Sequence, residues 1–440
     1  MAKFTLIYNG TLIDGNGGDP IQNGALLLEG NRIVAVGTQS GNGIQGTLER
    51  VEIPSDAQRI DAEGGTILPG LIDTHVHLMF QVRKLEAQLS DPFSLQFYYA
   101  AEYMKRTLEA GITTVRDAGG ADLGVKTAVE RGMITGPRMQ ISVTPLTITG
   151  GHGDSWTVSG VDLTRQHYPG SPSGICDGVE QVRHKVREML RAGADIIKVH
   201  ATGGVLSPTD HPEYTQFSYE ELRVMVEEAQ FRQGRKVMAH AQGAEGIKNA
   251  VRAGIHSIEH GIYLDDEAIA LMKEHGTYLV PTLLAPLSVI EQAEATGSMP
   301  EYGVKKARES FEAHRDSIAR AYRAGVRIAM GTDAGVMAHG TNLRELGLMC
   351  DIGMTPMESI VATTKVAAEC LGWQDRIGTL ETGKLADVVV ARTNVLEDIR
   401  SLEDTNNIAL VIKDGVVVKD ILQQQAQAED KTSEAGQLVR

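Results

Sequence analysis

With 440 residues and a formal net charge of −15, the chain is longer than one ordinary domain and strongly acidic. The length leaves room for a barrel of about 250 residues plus a smaller domain. The charge argues against nucleic acid and anionic membrane as partners, and no stretch reaches the roughly 20 apolar residues that a membrane-spanning helix needs. Three cysteines (Cys176, Cys350 and Cys370) are widely spaced without a C-x-x-C pair, which excludes a disulfide framework and fits a reducing compartment.

In chain order, the opening residues carry a short apolar run broken at Asn9-Gly10 with no cleavage site after it, so a cytoplasmic location is expected. Residues 5–8, 24–29 and 32–37 read as short strands punctuated by Gly and Asn. Residues 387–391 and 409–418 are again strand-like, the latter turning at Lys413-Asp414-Gly415. Both termini are therefore expected to build one small β-sandwich, from residues 1–65 and 374–420, with 421–440 as a polar tail.

Between them, residues 66–373 alternate helices with short apolar strands. One junction recurs: helix, glycine stop, strand, as in Glu109-Ala110-Gly111-Ile112, Arg191-Ala192-Gly193-Ala194, Arg252-Ala253-Gly254-Ile255 and Arg323-Ala324-Gly325-Val326. Strands are expected at 66–72, 112–116, 138–143, 195–199, 236–240, 257–260, 277–282 and 327–332. Eight strands with helices between them suggest an α/β fold of the (β/α)8 barrel type, and an open doubly wound sheet satisfies the same count. The Gly-, Ser- and Pro-rich stretch 146–177 is too long for an ordinary connection and reads as a functional loop.

Polar residues stand at the ends of these strands. His75 and His77 are two apart in an extended segment and face the same way, the geometry for gripping one metal ion. Lys198 sits in an apolar run, Ile196-Ile197-Lys198-Val199, where a free ammonium is costly to bury. It either pairs with a carboxylate or is carboxylated by CO2 to a carbamate whose oxygens ligate metal. His240 and His260 close the fifth and sixth strands, and Asp333 follows the eighth beside glycines. Singly, each histidine is as well explained by a satisfied core imidazole, and Asp333 by a helix cap.

Jointly they resemble the amidohydrolase superfamily, in its group of metal-dependent carboxypeptidases and prolidase-like dipeptidases, related to imidazolonepropionases. The residues that carry this are Pro69-Gly70-Leu71-Ile72-Asp73-Thr74-His75-Val76-His77, Ile197-Lys198-Val199-His200-Ala201-Thr202-Gly203-Gly204, His240, Ile258-Glu259-His260-Gly261, Gly331-Thr332-Asp333 and the late stretch from Ile377 to Asp387.

The resemblance implies two divalent metal ions, with zinc favoured by the donors. His75, His77 and Asp333 would hold one ion, His240 and His260 the other, with carboxylated Lys198 bridging. A metal-bridging hydroxide would attack an amide bond of a dipeptide or N-acyl amino acid while Asp333 shuttles the proton. On the substrate side, His152 and Arg116 are candidates to meet a free carboxylate, Arg116 equally well explained by pairing with a neighbouring acid such as Asp117, and Gln242 and His200 line the pocket. Gln242 stands where some related dipeptidases carry tyrosine, which puts proline specificity in doubt, and His200 stands where an apolar residue is usual, which implies a different pocket. The alternative substrate is a non-peptide amide, carbamate or cyclic amide. A scaffold that lost its chemistry would lack ligands, and none is missing. A small amide-bearing molecule is the expected partner, and the family suggests a homo-oligomer.

Overall fold

The computed structural model describes residues 3–46, 49–83, 89–157, 159–163, 168–297 and 299–422. These fall into two compact units. One holds the described residues of Met1–Ile72, Thr107–Thr113 and Pro356–Arg440, and the other those of Asp73–Arg106 and Thr114–Thr355.

The first unit is built on a ten-stranded sheet. Its strands are β1 (Phe4–Leu12), β2 (Ile21–Glu29), β3 (Arg32–Ser40), β4 (Gly43–Gln45), β5 (Arg50–Glu52), β6 (Gln58–Asp61) and β7 (Thr66–Pro69), with β15 (Val388–Ala391), β16 (Ile408–Lys413) and β17 (Val416–Asp420) from the far end of the chain. Alternation along β2 explains why both faces are covered: Leu26 and Leu28 enter one apolar cluster, Ala25 and Leu27 another. The sheet also closes back on itself, because Ile33 N donates to Lys384 O (3.0 Å) and Ala386 N to Asn31 O (2.9 Å).

Two expectations need correction here. The strand expected at 66–72 is interrupted: β7 ends at Pro69 and pairs with β1 and β15 in this sheet, and β8 (Leu71–Val76) starts afresh. The break falls at Gly70, where an added Cβ would lie 2.2 Å from Thr113 Oγ1. The terminal sheet thus extends past residue 65. Ile421 and Leu422, expected to open the tail, pack on its core, and the remainder of the tail lies outside the described residues.

The second unit alternates helices with parallel strands. Strands β8, β9 (Ile112–Asp117) and β10 (Arg138–Ile141) are hydrogen-bonded in that order, and β11 (Ile197–His200), β12 (Val237–Ala241), β13 (Ser257–His260) and β14 (Tyr278–Val280) form a four-stranded parallel sheet. Isolated parallel bridges occur at Leu146↔Val199, Leu279↔Ile328 and Val76↔Ala334. The strand expected at 327–332 is therefore reduced to a bridge, and beyond Gly331 the chain enters a left-handed turn at Asp333 (φ 65°). The four junction glycines Gly111, Gly193, Gly254 and Gly325 all have φ between 85° and 98°. An L side chain is strained in that region, so glycine there ends each helix sharply and frees the next strand.

Polar residues fix the helix starts. Ser218 and Glu221 form a reciprocal capping box on Tyr219–Gln230, and Asp122 and Asp265 accept from the first-turn amides of their helices. A more unusual cap is Glu345, whose fully buried carboxyl accepts from Leu283 N and Leu284 N (both 2.8 Å) at the start of Leu284–Thr296. Burial pushes that carboxyl up to about 8.

The native state therefore binds this proton more tightly than the unfolded chain does. The stability it confers is full below the ordinary glutamate value of 4.5 and is lost as pH rises through about 8. Thermal unfolding of wild type and Glu345→Gln across this window should show the variant gaining on the wild type as pH rises; a gap that does not change with pH would contradict the assignment.

Candidate metal centre

The parallel strands of the second unit end in imidazoles. β8 delivers His75 and leads directly to His77, β12 delivers His240, and β13 ends at His260. Asp333 arrives from the turn after the Ile328 bridge, fastened to the first strand by Asp333 N→His75 O (2.8 Å). Buried Asp73 holds the same corner, with Oδ2 accepting from Thr332 Oγ1 (2.6 Å) and Asn342 Nδ2 (2.8 Å).

Asp333 Oδ1 lies 3.2 Å from His77 Nε2 and 3.5 Å from His75 Nε2. The ligand atoms of these three residues all fall within 4.8 Å of one another, close enough to share one cation. Lys198 Nζ is 3.4 Å from His75 Nε2. Ring centroids of His75 and His260 are 5.0 Å apart and those of His240 and His260 4.6 Å, so the imidazoles form one continuous cluster.

Protein groups tie one nitrogen of each of the four rings. His75 Nδ1 donates to the Glu259 carboxylate (2.8 Å), His77 Nδ1 to Gly119 O (2.9 Å) and His240 Nε2 to Gly203 O (3.0 Å), while His260 Nδ1 meets Thr282 Oγ1 (2.7 Å). Of the other nitrogens, the Nε2 of His75 and of His77 face Asp333 Oδ1, and the Nε2 of His260 and the Nδ1 of His240 have no hydrogen-bond partner among the described residues. A bare imidazole nitrogen, its tautomer set by a hydrogen bond on the other side, is what a divalent ion requires. The donor set fits a metal.

Burial dictates the charge states. His240, His260 and His200 are pushed well below the usual imidazole range by burial and by one another, so these rings are neutral. Burial lowers the Lys198 ammonium to about 8, against the pull of Glu259 and Asp333. Burial alone would raise Asp333, but hydrogen bonds from His75 and His77 hold its carboxylate well below the ordinary range.

Arg116 is placed differently from expectation. It is fully buried, and its guanidinium donates to Thr74 O (2.6 Å), Ser257 Oγ (3.1 Å) and Glu259 Oε1 (2.9 Å). The carboxylate it meets is the internal one of Glu259, and Arg116 is not among the described residues that line the cavity. Glu259 is the residue that sequence reasoning passed over. Ionised in a dry interior with Arg116 on one oxygen and His75 on the other, it is held down to about 2, chiefly by Arg116 once burial is overcome.

The other expected substrate contacts line a cavity of about 430 Å³ shared with the imidazole cluster. His152 stacks on His240 at 4.3 Å, with its Nδ1 2.8 Å from Ser207 Oγ. His200 stands edge-on to His152 at 4.9 Å, and among the described residues its Nδ1 has no hydrogen-bond partner; the same is true of Gln242 Oε1. Apolar surface comes from Leu206, Ile262, Val289 and Tyr168, the last backed by Phe93 and Phe97 at 5.5 and 5.9 Å.

Parallel strands that carry imidazoles to one cavity, met there by a carboxylate from the turn after the Ile328 bridge, make a candidate metal site in an α/β unit. The chain belongs to the amidohydrolase family, whose pattern matches residues 66–418. Members generally use a metal, and the family implies a barrel-like α/β fold with an added sheet domain. The ochratoxinase of Aspergillus niger is 37% identical over 439 residues, covering 95% of this chain and 87% of that protein. Among solved structures, a Xaa-Pro dipeptidase with bound methionine is 36% identical with a TM-score of 0.83, covering 94% of this chain and 99% of the other. A prolidase complexed with N-methylphosphonate-L-proline is 34% identical with a TM-score of 0.84, covering 95% and 100%.

Removing one member of a buried ion pair strands the other, at a cost of about 3–5 kcal/mol. Arg116→Met should therefore lower the unfolding midpoint strongly, and adding Glu259→Gln should recover part of the loss. Equal destabilisation by Arg116→Met with and without Glu259→Gln would refute the coupling.

Proposed function

We propose that this chain is a hydrolase of amide bonds in small molecules that works with two divalent metal ions, zinc by the chemistry of its donors. The observation that carries the reading is the set of four imidazoles, three of them buried, each with one nitrogen tied to protein outside the cluster, gathered with Asp333 and Lys198 on one cavity. His75, His77 and Asp333 would hold one ion and His240 and His260 the other. Lys198 would bridge them as a CO2-derived carbamate, a role supported by the lowered basicity of its buried amine, which leaves it nucleophilic. Bound cations of this kind supply Lewis acidity and bring the pKa of water toward neutrality.

The chain's own groups supply the remainder. Asp333 accepts the proton of the attacking water at a carboxylate oxygen and returns it to the departing nitrogen. Glu259 and Thr282 keep His75 and His260 in fixed orientation, and the apolar walls exclude bulk water from the cluster. The unit bearing the site is a (β/α)8 barrel in this reading, an assignment supported by the parallel bridges at Leu146, Leu279 and Val76 that continue the two strand runs. The barrel would occupy 66–373, with β7 shared out to the terminal sheet.

Dipeptides and N-acyl amino acids are the substrates the family resemblance favours. A second reading, an uncharged or non-peptide amide or carbamate, draws on the cavity itself. Among the described lining residues Lys198 is the sole lysine or arginine, and Tyr168, Leu206, Ile262 and Val289 make much of the wall apolar. Similarity to an ochratoxinase accords with it.

Turnover of dipeptides, N-acyl amino acids and uncharged amides should be compared on metal-loaded protein. Hydrolysis in any class supports amide cleavage, the carboxylate-bearing set identifies the first reading, and inactivity on all of them overturns both. Lys198→Met should lose more than about 100-fold in kcat/KM, the upper range for changes that merely surround a ligand.

A further inference from the structure

Behind His152 lies a buried polar chain that none of the roles above uses. Lys306, on the helix Glu301–Arg323, donates to three carbonyls of one loop, Gly204 O (2.9 Å), Ser207 O (2.7 Å) and Asp210 O (2.6 Å), and its Nζ lies 3.5 Å from Asp210 Oδ1. Asp210 also accepts from Gln216 Nε2 (3.1 Å) and Gly204 N (3.3 Å). The Ser207 hydroxyl sits between Asp210 and His152, with Gly204 O at 3.3 Å and His152 Nδ1 at 2.8 Å.

Hydrogen-bond accounting at Ser207 Oγ has one solution. The hydroxyl owns a single proton, and two of its three neighbours, the Asp210 carboxylate and the Gly204 carbonyl, only accept. The proton goes to one of them, so the contact with the imidazole must be made by a hydrogen of His152. Nδ1 carries that hydrogen. In a neutral ring, Nε2 is then a bare acceptor. It has no partner among the described residues, and the ring lines the cavity, stacked 22° from parallel on His240.

We infer that His152 offers its Nε2 lone pair to a hydrogen-bond donor of the substrate, the N–H of the scissile amide, and selects secondary amides over tertiary ones. A carboxylate would bring a lone pair against a lone pair, so the expectation that His152 meets the substrate carboxylate is replaced. A bond to a proline nitrogen carries no hydrogen and is disfavoured on the same ground. Lys306, Asp210 and Ser207 are positioning residues that hold the loop and fix the tautomer. This inference rests on the amide-hydrolase reading.

The test compares an N-acyl amino acid with its N-methyl counterpart, which differs at the scissile nitrogen. Wild-type kcat/KM should favour the N–H substrate about tenfold or more, the effect of about 1.4 kcal/mol. His152→Ala should bring that ratio close to one. His152→Gln, which can place an amide oxygen near the position of Nε2, should retain part of it, and Ser207→Ala should reduce it. Nitrogen-15 shifts of histidine-labelled apo protein, assigned by difference with His152→Gln, should report the Nδ1–H tautomer independently of turnover. A wild-type ratio near one, a ratio unchanged in His152→Ala, or an Nε2–H tautomer overturns the inference while leaving amide hydrolysis intact. The pair is drawn from the amide class that the metal-loaded protein turns over; inactivity on every class overturns the amide-hydrolase reading, and this inference with it.

Discussion

The site depends on a carboxylate that touches no solvent. Glu259 is wholly buried between Arg116 and His75, one oxygen on each. An isolated charge in that interior would be prohibitively desolvated, and the guanidinium compensates it through close contact while two further Arg116 donors meet Thr74 O and Ser257 Oγ. With Glu259 ionised, His75 must present its Nδ1–H to it and its Nε2 to the cavity. Three strands, β8, β9 and β13, are thereby coupled through side chains as well as through the backbone, and the orientation of the imidazole follows from an ion pair on its far side.

The same logic extends around the cluster. Packing buried imidazoles together is tolerable when they are neutral, and burial together with mutual proximity keeps His200, His240 and His260 so. Neutral rings still need each N–H satisfied. Gly119 O and Gly203 O accept from two rings, Thr282 holds a third, and each contact leaves the ring's other nitrogen for the centre. The left-handed backbone at His260 (φ 75°) and Asp333 (φ 65°) is strained for non-glycine residues and falls at the two positions where a strand end must turn its side chain to the cluster.

Much of this was legible from residue order. His-x-His on a strand, a lysine in an apolar run, and single histidines and an aspartate at strand ends pointed to the cluster, because side-chain direction in a strand follows parity and strand ends follow helix-stop glycines. The break at Gly70 was not legible, since the apolar run 66–72 reads as continuous and nothing in it announces that one strand ends at Pro69 and another starts at Leu71. Arg116 was misread because its partner, Glu259, is distant in sequence, and a strand arginine looks alike whether it faces a ligand or an internal acid. Glu259 itself carried a signal, a charge inside the buried strand Ser257–His260, that only pairing could explain. Ser207, Asp210 and Lys306 had none: they lie in a loop and a long polar helix, and their meaning comes from meeting His152.

The account turns on how many ions the cluster accepts, because the roles given to Lys198, His240 and His260 all require a second one beside the ion of His75, His77 and Asp333. The most direct measurement is the divalent metal content of folded, bicarbonate-equilibrated protein, titrated against hydrolytic activity. Two ions per chain, with activity appearing only as the second is bound, is the predicted result. Full activity at one ion per chain would contradict it.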